Sequence, residues 1–343
     1  MLKRHSAVWV WLAAVLFAVA CGALLVIAIG VPLGDALSAF AEGAWGSPYA
    51  VAASINRALA LGLVGLGFVF ANRANLTNVG GEGQIAAGGV AATAVALYGS
   101  ASQLPAPMSF LLPMLVAALA GGLWGGVAGV LKAKVGTNEV ISTLLLSFVA
   151  VWLLYWSVQS ESLLRQPMTT TATLPESKEI PDITKLPLLG ADASTPLHIG
   201  LLLALVLALI VFVVLDKTAF GVRLRALGLN AVAARRAGIP IQSSIVLALF
   251  VAGAFMLQGD QYSLKARFSS GYGFDGLVVG LLARGSVLGV MASALLFGFL
   301  RSGGINMEMA ASVPSALVLI IQGLIIVTLA GAAYWLRGRE STR

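Results

Sequence analysis

Charged residues are scarce in this chain: Asp, Glu, Lys and Arg together make up only 10% of its 343 residues. A soluble domain carries about 25% charged residues, whereas 59% of the present sequence is hydrophobic. This composition excludes a soluble globular protein, whose surface needs charge, and a disordered chain, which needs low hydrophobicity. It predicts an all-α polytopic membrane protein whose apolar runs face lipid or one another.

Residue types that carry out chemistry are also scarce. The chain has one cysteine, Cys21, and two histidines, His5 and His198. One cysteine cannot form an intramolecular disulfide, and neither a His-Glu-x-x-His pattern nor a cysteine pair is present to bind a metal ion. The phosphate-binding pattern Gly-x-x-x-x-Gly-Lys-Ser/Thr is absent as well. We therefore expect no enzymatic activity, no metal and no cofactor in this chain.

The apolar runs predict about ten membrane-spanning helices, with eight to ten possible, because one span needs about 20 apolar residues. The whole chain, 1–343, is interpreted as a single transmembrane domain. The run at 274–283 is too short to cross alone and predicts a re-entrant or broken helix. The candidate spans are 8–30, 54–71, 77–99, 109–131, 138–158, 197–215, 243–259, 274–283, 286–300 and 314–335.

The distribution of basic residues predicts which side of the membrane each loop faces. With both termini in the cytoplasm, 14 of the 21 Lys and Arg residues fall inside and seven outside, as the positive-inside rule requires. The net charge of +7 then reflects topology, and no nucleic-acid partner is expected. Two sizeable segments lie outside the membrane: an outer loop at 159–196 and a basic cytoplasmic loop at 216–242.

The cytoplasmic loop contains a predicted short helix. Asn230 is a good N-cap, residues 231–237 favour a helix, and Gly238 followed by Pro240 is a stop signal. Small residues on one side of this helix allow close approach to a groove on another protein. A basic loop that only obeys the topology rule explains the same composition, and the two interpretations carry about equal weight.

A polar, glycine-rich segment at 75–89 lies at the entrance to the third predicted span. Its glycines permit broken backbone and close helix contact. Its acid, Glu82, would carry a charge that is energetically costly at membrane depth. Glu82 is therefore a candidate functional residue. Pairing with Arg57 or Arg73 is the structural alternative, and the two interpretations weigh about equally.

A second polar segment, 136–143, opens the fifth predicted span. Asn138 and Ser142 are four residues apart, as are Glu139 and Thr143, so each pair shares a helix face. Glu139 also suits the first turn of a helix, where the helix dipole favours an acid. A helix N-terminus therefore explains Glu139 without any role in transport.

A third segment, 271–276, precedes the short apolar run and contains Asp275. An acid at the edge of a half-length helix is consistent with a bent gate or with a helix terminus. A simple turn explains the same residues equally well.

Taken together, these segments resemble the permease subunits of bacterial ABC importers in the branched-chain amino acid/ribose-type family, and most of all the nucleoside and simple-sugar permeases. The likeness runs from about residue 55 to 330 in the order of the family. Four motifs carry it: Asn78-Val-Gly-Gly-Glu-Gly-Gln84, Thr137-Asn-Glu-Val-Ile-Ser-Thr-Leu-Leu-Leu146, Phe220 to Ile239, and Gly273-Phe-Asp-Gly276.

The resemblance implies a transport bundle of the vitamin B12-permease-like type in a bacterial inner membrane, with substrate passing between two permease subunits. The implied partners are ABC ATP-binding subunits, which hydrolyse ATP, a second, paralogous permease, and an extracytoplasmic substrate-binding protein. The expected substrate is a nucleoside or a related uncharged polar solute. The alternatives are a ribose- or galactose-type sugar and, with less support, an ion-coupled secondary transporter that uses Glu82 and Glu139 as proton sites.

The polar segments and the resemblance together supply the expected site residues. Asp275 is expected to act as a gate, and no residue is assigned to a metal. The expected substrate-pathway residues are Asn78, Glu82, Gln84, Asn138, Glu139, Ser142, Thr143 and Ser147. The residues expected to couple to the ATPase are Arg223, Arg225, Gly228, Asn230, Ala233, Ala234 and Gly238.

Overall fold

The computed structural model describes residues 2–167, 175–190, 195–254, 263–266, 268–269 and 271–341. Within these residues the secondary structure is helical, apart from three isolated β-bridges. The all-α prediction is confirmed, and the chain is a multi-pass membrane protein. Five described helices are long and apolar enough to cross a membrane: Pro48–Arg73, Met108–Val135, Glu139–Gln159, Gly200–Lys217 and Val287–Ala311.

Thirteen α-helices occur in the described part of the chain. Two short 3-10 helices, Ser100–Gln103 and Asp182–Thr184, accompany them. The α-helices are α1 Leu2–Ala28, α2 Leu33–Trp45, α3 Pro48–Arg73, α4 Gly81–Tyr98, α5 Met108–Val135, α6 Glu139–Gln159, α7 Gly200–Lys217, α8 Ala219–Leu229, α9 Ala231–Arg236, α10 Ile241–Ala254, α11 Tyr272–Leu282, α12 Val287–Ala311 and α13 Ser315–Ser341.

Each of the ten predicted spans coincides with a helix, although the number of crossings remains a prediction. The span predicted at 77–99 is helical only from Gly81 onward, and residues 77–80 are not helical. The span predicted at 243–259 is helical to Ala254, and its last five residues lie outside the described part. The short helix predicted at 231–237 is α9, whereas α2 and α8 were not predicted.

The chain divides into two compact units. The first comprises Met1–Arg57, Ser194–Pro196 and Leu296–Arg343, and the second comprises Ala58–Ala193 and Leu197–Leu295. In the first unit α1 packs along α13, and a core forms around Val26, Ala36 and Met307. The second unit contains all of the predicted site segments.

In the second unit α4 lies at the centre, packed against α5, α6 and α11, and α5 packs most extensively against α10. Glycines on α5 allow the α5–α10 contact, since a Cβ on Gly129 would lie 2.8 Å from the Val246 Cα. Because lipid tails are as apolar as leucine, close packing of this kind is a main force that holds membrane helices together.

The segment predicted as an outer loop is tied to the segment that leads into α11. Ser177 N–H donates to the Leu264 carbonyl at 2.9 Å, and Leu264 N–H donates to the Ser177 hydroxyl at 2.8 Å. Lys185 bridges Asp182 and Glu179, each at 2.6 Å. These hydrogen bonds, with that to Asp182 the larger cause, raise the pKa of Lys185 to about 12. Both acids are exposed, so the pairs contribute little stability.

The α5–α10 contact yields a prediction at two adjacent buried glycines. A Cβ on Gly125 would collide with the Leu249 carbonyl oxygen, whereas a Cβ on Gly126 would make ordinary contact with Phe250 at 3.6 Å. We expect Gly125→Ala to lower stability by about 1–3 kcal/mol through overpacking. Gly126→Ala is the matched control and should keep or slightly raise stability, because alanine favours a helix more than glycine does. Melting temperatures of the detergent-purified proteins measure the difference, and equal values would contradict the predicted collision.

Candidate functional site

The predicted pathway residues first meet at the start of α4. Residues 76–80 are not helical. The Leu76 N–H donates to the Ala71 carbonyl of α3 at 3.2 Å, and the N–H groups that follow need acceptors outside a helix. Asn78 turns its side chain back and accepts the N–H of Gly80 at 2.9 Å. The amides of Asn78 and Gln84 bond each other reciprocally, at 3.0 and 3.4 Å. The amide pair therefore fixes the non-helical approach to the first turn of α4.

Thr143 on α6 completes this junction. Its hydroxyl accepts the Val79 N–H at 3.2 Å and donates to the Glu139 carbonyl at 2.7 Å. Ser147, one turn further along α6, donates to the Thr143 carbonyl at 3.0 Å. A Cβ on Gly83 would lie 2.5 Å from the Ser147 Cα, so α4 and α6 meet here almost backbone to backbone.

The polar residues of this α4–α6 junction are buried. Asn78, Gln84, Ser142, Thr143 and Ser147 are all buried by the chain itself, and each one hydrogen-bonds to other residues of this chain. In the conformation described, their polar groups satisfy the protein backbone and one another.

Two other predicted pathway residues lie outside the junction. Asn138 is exposed and is the N-cap of α6, where it accepts the N–H groups of Val140 and Ile141. Glu139 follows in the first turn and pairs with Lys132 of α5 at 2.8 Å. The interpretation of Glu139 as part of a helix N-terminus is consistent with this arrangement.

Glu82 contacts α11. Its Oε1 accepts the Gly273 N–H at 2.9 Å, and the Ser269 hydroxyl also hydrogen-bonds the carboxylate. The structural alternative in which Glu82 pairs with Arg73 is wrong, because Arg73 pairs with Asp216 at 3.0 Å.

The short helix α11 is the predicted half-length element. Its 11 residues span about 16 Å at 1.5 Å per residue, roughly half of a 30 Å hydrocarbon core. Gly276 and Gly280 pack on Val64 and Phe68 of α3, so α11 runs parallel to α3 and begins near its middle. Asp275 lies in the first turn of α11, which agrees with the interpretation as a helix terminus.

The predicted coupling residues form a two-helix element, α8–α9. Asn230 separates the helices and caps α9 by accepting the N–H groups of Val232 and Ala233, each at 3.0 Å. Gly238 has a φ of +79° and ends α9 in the left-handed conformation that glycine adopts readily. The capping and stop signals in the sequence therefore act as predicted.

The α8–α9 element has a buried base. Leu224, Leu227 and Ala234 are at most 5% exposed. A Cβ on Gly228 would lie 2.6 Å from the Arg73 carbonyl oxygen, so the end of α8 lies directly against the end of α3. Gly228 and Ala234 are thus packing positions within this chain.

Asp216 links this base to α3 and α8. It accepts from Arg73 at 3.0 Å and from Arg225 at 3.4 Å, and Arg73 also donates to the Gly285 carbonyl at 3.4 Å. Sequence reasoning missed this cluster and the Glu82–Gly273 contact. The only available signals were an acid ending the apolar run of α7 and a glycine-rich start to α11.

The opposite side of the α8–α9 element is exposed and partly apolar. Leu229 is 82% exposed and Val232 is 65% exposed. Ala233 is exposed beside them, and so are the basic residues Arg223, Arg225, Arg235 and Arg236.

A helical membrane protein with broken helices and an exposed basic helical element is the kind of molecule expected of a transport permease. Residues 50–330 match the family described as branched-chain amino acid transport system / permease component. Because the match covers most of the chain, the protein belongs to this family.

Individual relatives are transport permeases as well. The guanosine ABC transporter permease protein NupP of Bacillus subtilis is 33% identical over 97% of this chain and 95% of its own length. The glucose ABC transporter permease protein TsgB13 of Haloferax volcanii is 35% identical over 95% of this chain and 87% of its own length. The nucleoside ABC transporter permease protein NupB of Lactococcus lactis is 29% identical over 95% of this chain and 91% of its own length.

The two nucleoside relatives each have a counterpart in the same organism that also matches this chain. NupQ of Bacillus subtilis is 27% identical over 74% of this chain and 80% of its own length. NupC of Lactococcus lactis is 27% identical over 69% of this chain and 76% of its own length. The family thus includes pairs of permeases from one organism.

The junction between α4 and α6 yields a prediction at Thr143. Thr143→Val keeps the side-chain shape but leaves the Val79 N–H without its acceptor, which should cost about 1–3 kcal/mol of stability. Thr143→Ser keeps the hydroxyl and should retain most of that stability. Melting temperatures of the purified variants compare the two, and a valine variant at least as stable as the serine variant would refute the assigned role of the hydroxyl.

Proposed function

We propose that this chain is the membrane-spanning permease subunit of an ATP-driven ABC importer for nucleosides or a related uncharged polar solute. Family membership supports the transporter class, and two relatives with nucleoside names support the substrate. A glucose permease of similar identity keeps a simple sugar as the second candidate. The relatives are ABC permeases, which favours this proposal over an ion-coupled secondary transporter.

The observation that carries the proposal is the exposed tip of the α8–α9 element. Leu229 and Val232 are exposed apolar side chains among arginines, on a base that is buried and ion-paired. Exposed apolar side chains grouped at one tip support a protein interface there. We assign this tip to the groove of a separate ATP-binding subunit, which hydrolyses ATP, while this chain performs no chemical step.

The proposed mechanism is alternating access. ATP binding closes the partner ATPase subunits, and the α8–α9 element moves with them. That movement biases the helices between inward-open and outward-open arrangements. The α4–α6 junction is proposed to border the substrate path and to offer its amide and hydroxyl groups once the helices separate.

The proposed assembly contains two permeases and a binding protein. The pairing of NupP with NupQ and of NupB with NupC in name and organism supports a paralogous second permease. Each chain, as one transmembrane domain with about ten spans, would adopt the vitamin B12-permease-like arrangement in the bacterial inner membrane, with cytoplasmic termini. An extracytoplasmic binding protein would deliver substrate on the side of the outer loop, and Asp275 would act at the gate.

The docking assignment is tested at Val232. Val232→Asp should leave the fold intact, since the position is exposed and an acid in the first turn suits the dipole of α9. An unpaired charge in the docked interface should weaken recovery of the ATPase subunit on co-purification by about tenfold or more. Ile183→Asp makes the same change at a half-exposed position of the outer loop and should have no effect. Unchanged recovery with Val232→Asp would remove the docking assignment.

The substrate assignment is tested with the assembled importer in proteoliposomes. We expect ATP-dependent uptake of labelled guanosine that excess unlabelled nucleosides suppress and excess glucose or ribose does not, because a binding site for nucleosides must satisfy polar groups of the base. Suppression by sugars alone would transfer the assignment to the simple-sugar class.

A further inference from the structure

Two helix N-termini meet in the second unit, and their meeting is electrostatically unfavourable. α4 starts at Gly81 and α11 at Tyr272, and a Cβ on Gly81 would lie 2.9 Å from the Gly273 Cα. Each helix N-terminus carries about half a positive charge. Two such ends in contact repel each other, and buried surroundings screen that repulsion poorly. Negative charge at this point offsets the repulsion, and each first turn contains one acid, Glu82 in α4 and Asp275 in α11.

Glu82 is the acid of α4 whose hydrogen bond reaches the start of α11. It is in the first turn of α4, and its carboxylate accepts the N–H of Gly273 at 2.9 Å in the first turn of α11. Its side chain is buried, and the Ser269 hydroxyl also hydrogen-bonds it. One carboxylate therefore opposes the positive ends of both helices at once.

The other end of α11 lies beside the base of the α8–α9 element. Arg73 donates to the Gly285 carbonyl just after α11 and pairs with Asp216, which also binds Arg225 of α8. Between its ends α11 packs on α3 through Gly276 and Gly280. A continuous series of contacts thus runs from the α8–α9 element along α11 to the start of α4.

We infer that Glu82 is a positioning residue whose charge holds the N-terminus of α11 against that of α4, so that movement of the α8–α9 element reaches the Asn78–Gln84 amide pair through α11. Glu82 acts in this way without touching substrate. The inference rests on the proposed function, because it takes the α8–α9 element as the part that the ATPase moves.

The test measures uptake and ATP hydrolysis on the same proteoliposomes, which contain this permease, its partner permease, the ATPase and the binding protein. Glu82→Gln keeps the size and an acceptor oxygen but removes the charge. Uptake per ATP hydrolysed should fall about tenfold, the size expected for loss of a partly buried charge–dipole interaction. Hydrolysis should continue, since the ATPase docks elsewhere. A residue with a merely structural role would lower both rates together.

Two further variants make the test specific. Glu82→Asp keeps the charge and should retain more uptake per ATP than Glu82→Gln. Thr93→Val removes a buried hydroxyl from the same helix, away from the junction, and should match the wild type. If only the glutamine variant fails to assemble, the aspartate variant decides the test. Uptake per ATP hydrolysed near the wild-type value supports the inference, and a tenfold loss of uptake per ATP overturns it.

The remaining outcomes are distinct. A glutamine variant with the wild-type ratio of uptake to hydrolysis overturns the inference alone. Failure of both Glu82 variants to assemble also overturns it, because the carboxylate would then be a folding requirement. A wild-type importer without ATP-dependent uptake overturns the proposed function, and the inference with it.

Discussion

The need to satisfy backbone N–H groups without water governs the second unit. Inside a membrane an unpaired N–H costs several kcal/mol, so broken helices require polar side chains from elsewhere in the protein. α4 and α11 both start at such breaks. Side chains of Asn78, Thr143 and Glu82 accept the N–H groups of Gly80, Val79 and Gly273. The polar residues of the junction are therefore first of all the partners of broken backbone.

This constraint connects local structure to the proposed transport cycle. A continuous helix needs no such partners and has few ways to rearrange. Hydrogen bonds between side chains and the backbone of a broken helix can instead switch between discrete arrangements. The junction is built from amides and hydroxyls, which are also the groups that recognise an uncharged polar solute. The structural role of the junction is compatible with its proposed place beside the substrate path. An exchange of hydrogen-bond partners by its side chains would link helix movement to substrate recognition.

Small residues give the second unit its close contacts, and those contacts define the proposed route of movement. Gly81 and Gly273 bring α4 to α11, Gly83 brings α4 to Ser147, and Gly228 brings α8 to the end of α3. Side chains at these positions would hold the backbones apart and separate the ion-paired base of the α8–α9 element from the junction.

The sequence by itself determined the helical membrane class, the approximate helix positions and the caps of α6 and α9, because these depend on composition and on residues a few positions apart. The same local logic predicted that the run at 274–283 is a half-length helix. Only the tertiary structure decided that Glu82 faces Gly273 and not Arg73, that Arg73 pairs with Asp216, and that Ala234 faces inward. Those contacts join residues far apart in the chain, and their partners are set by helix packing, which no local pattern encodes.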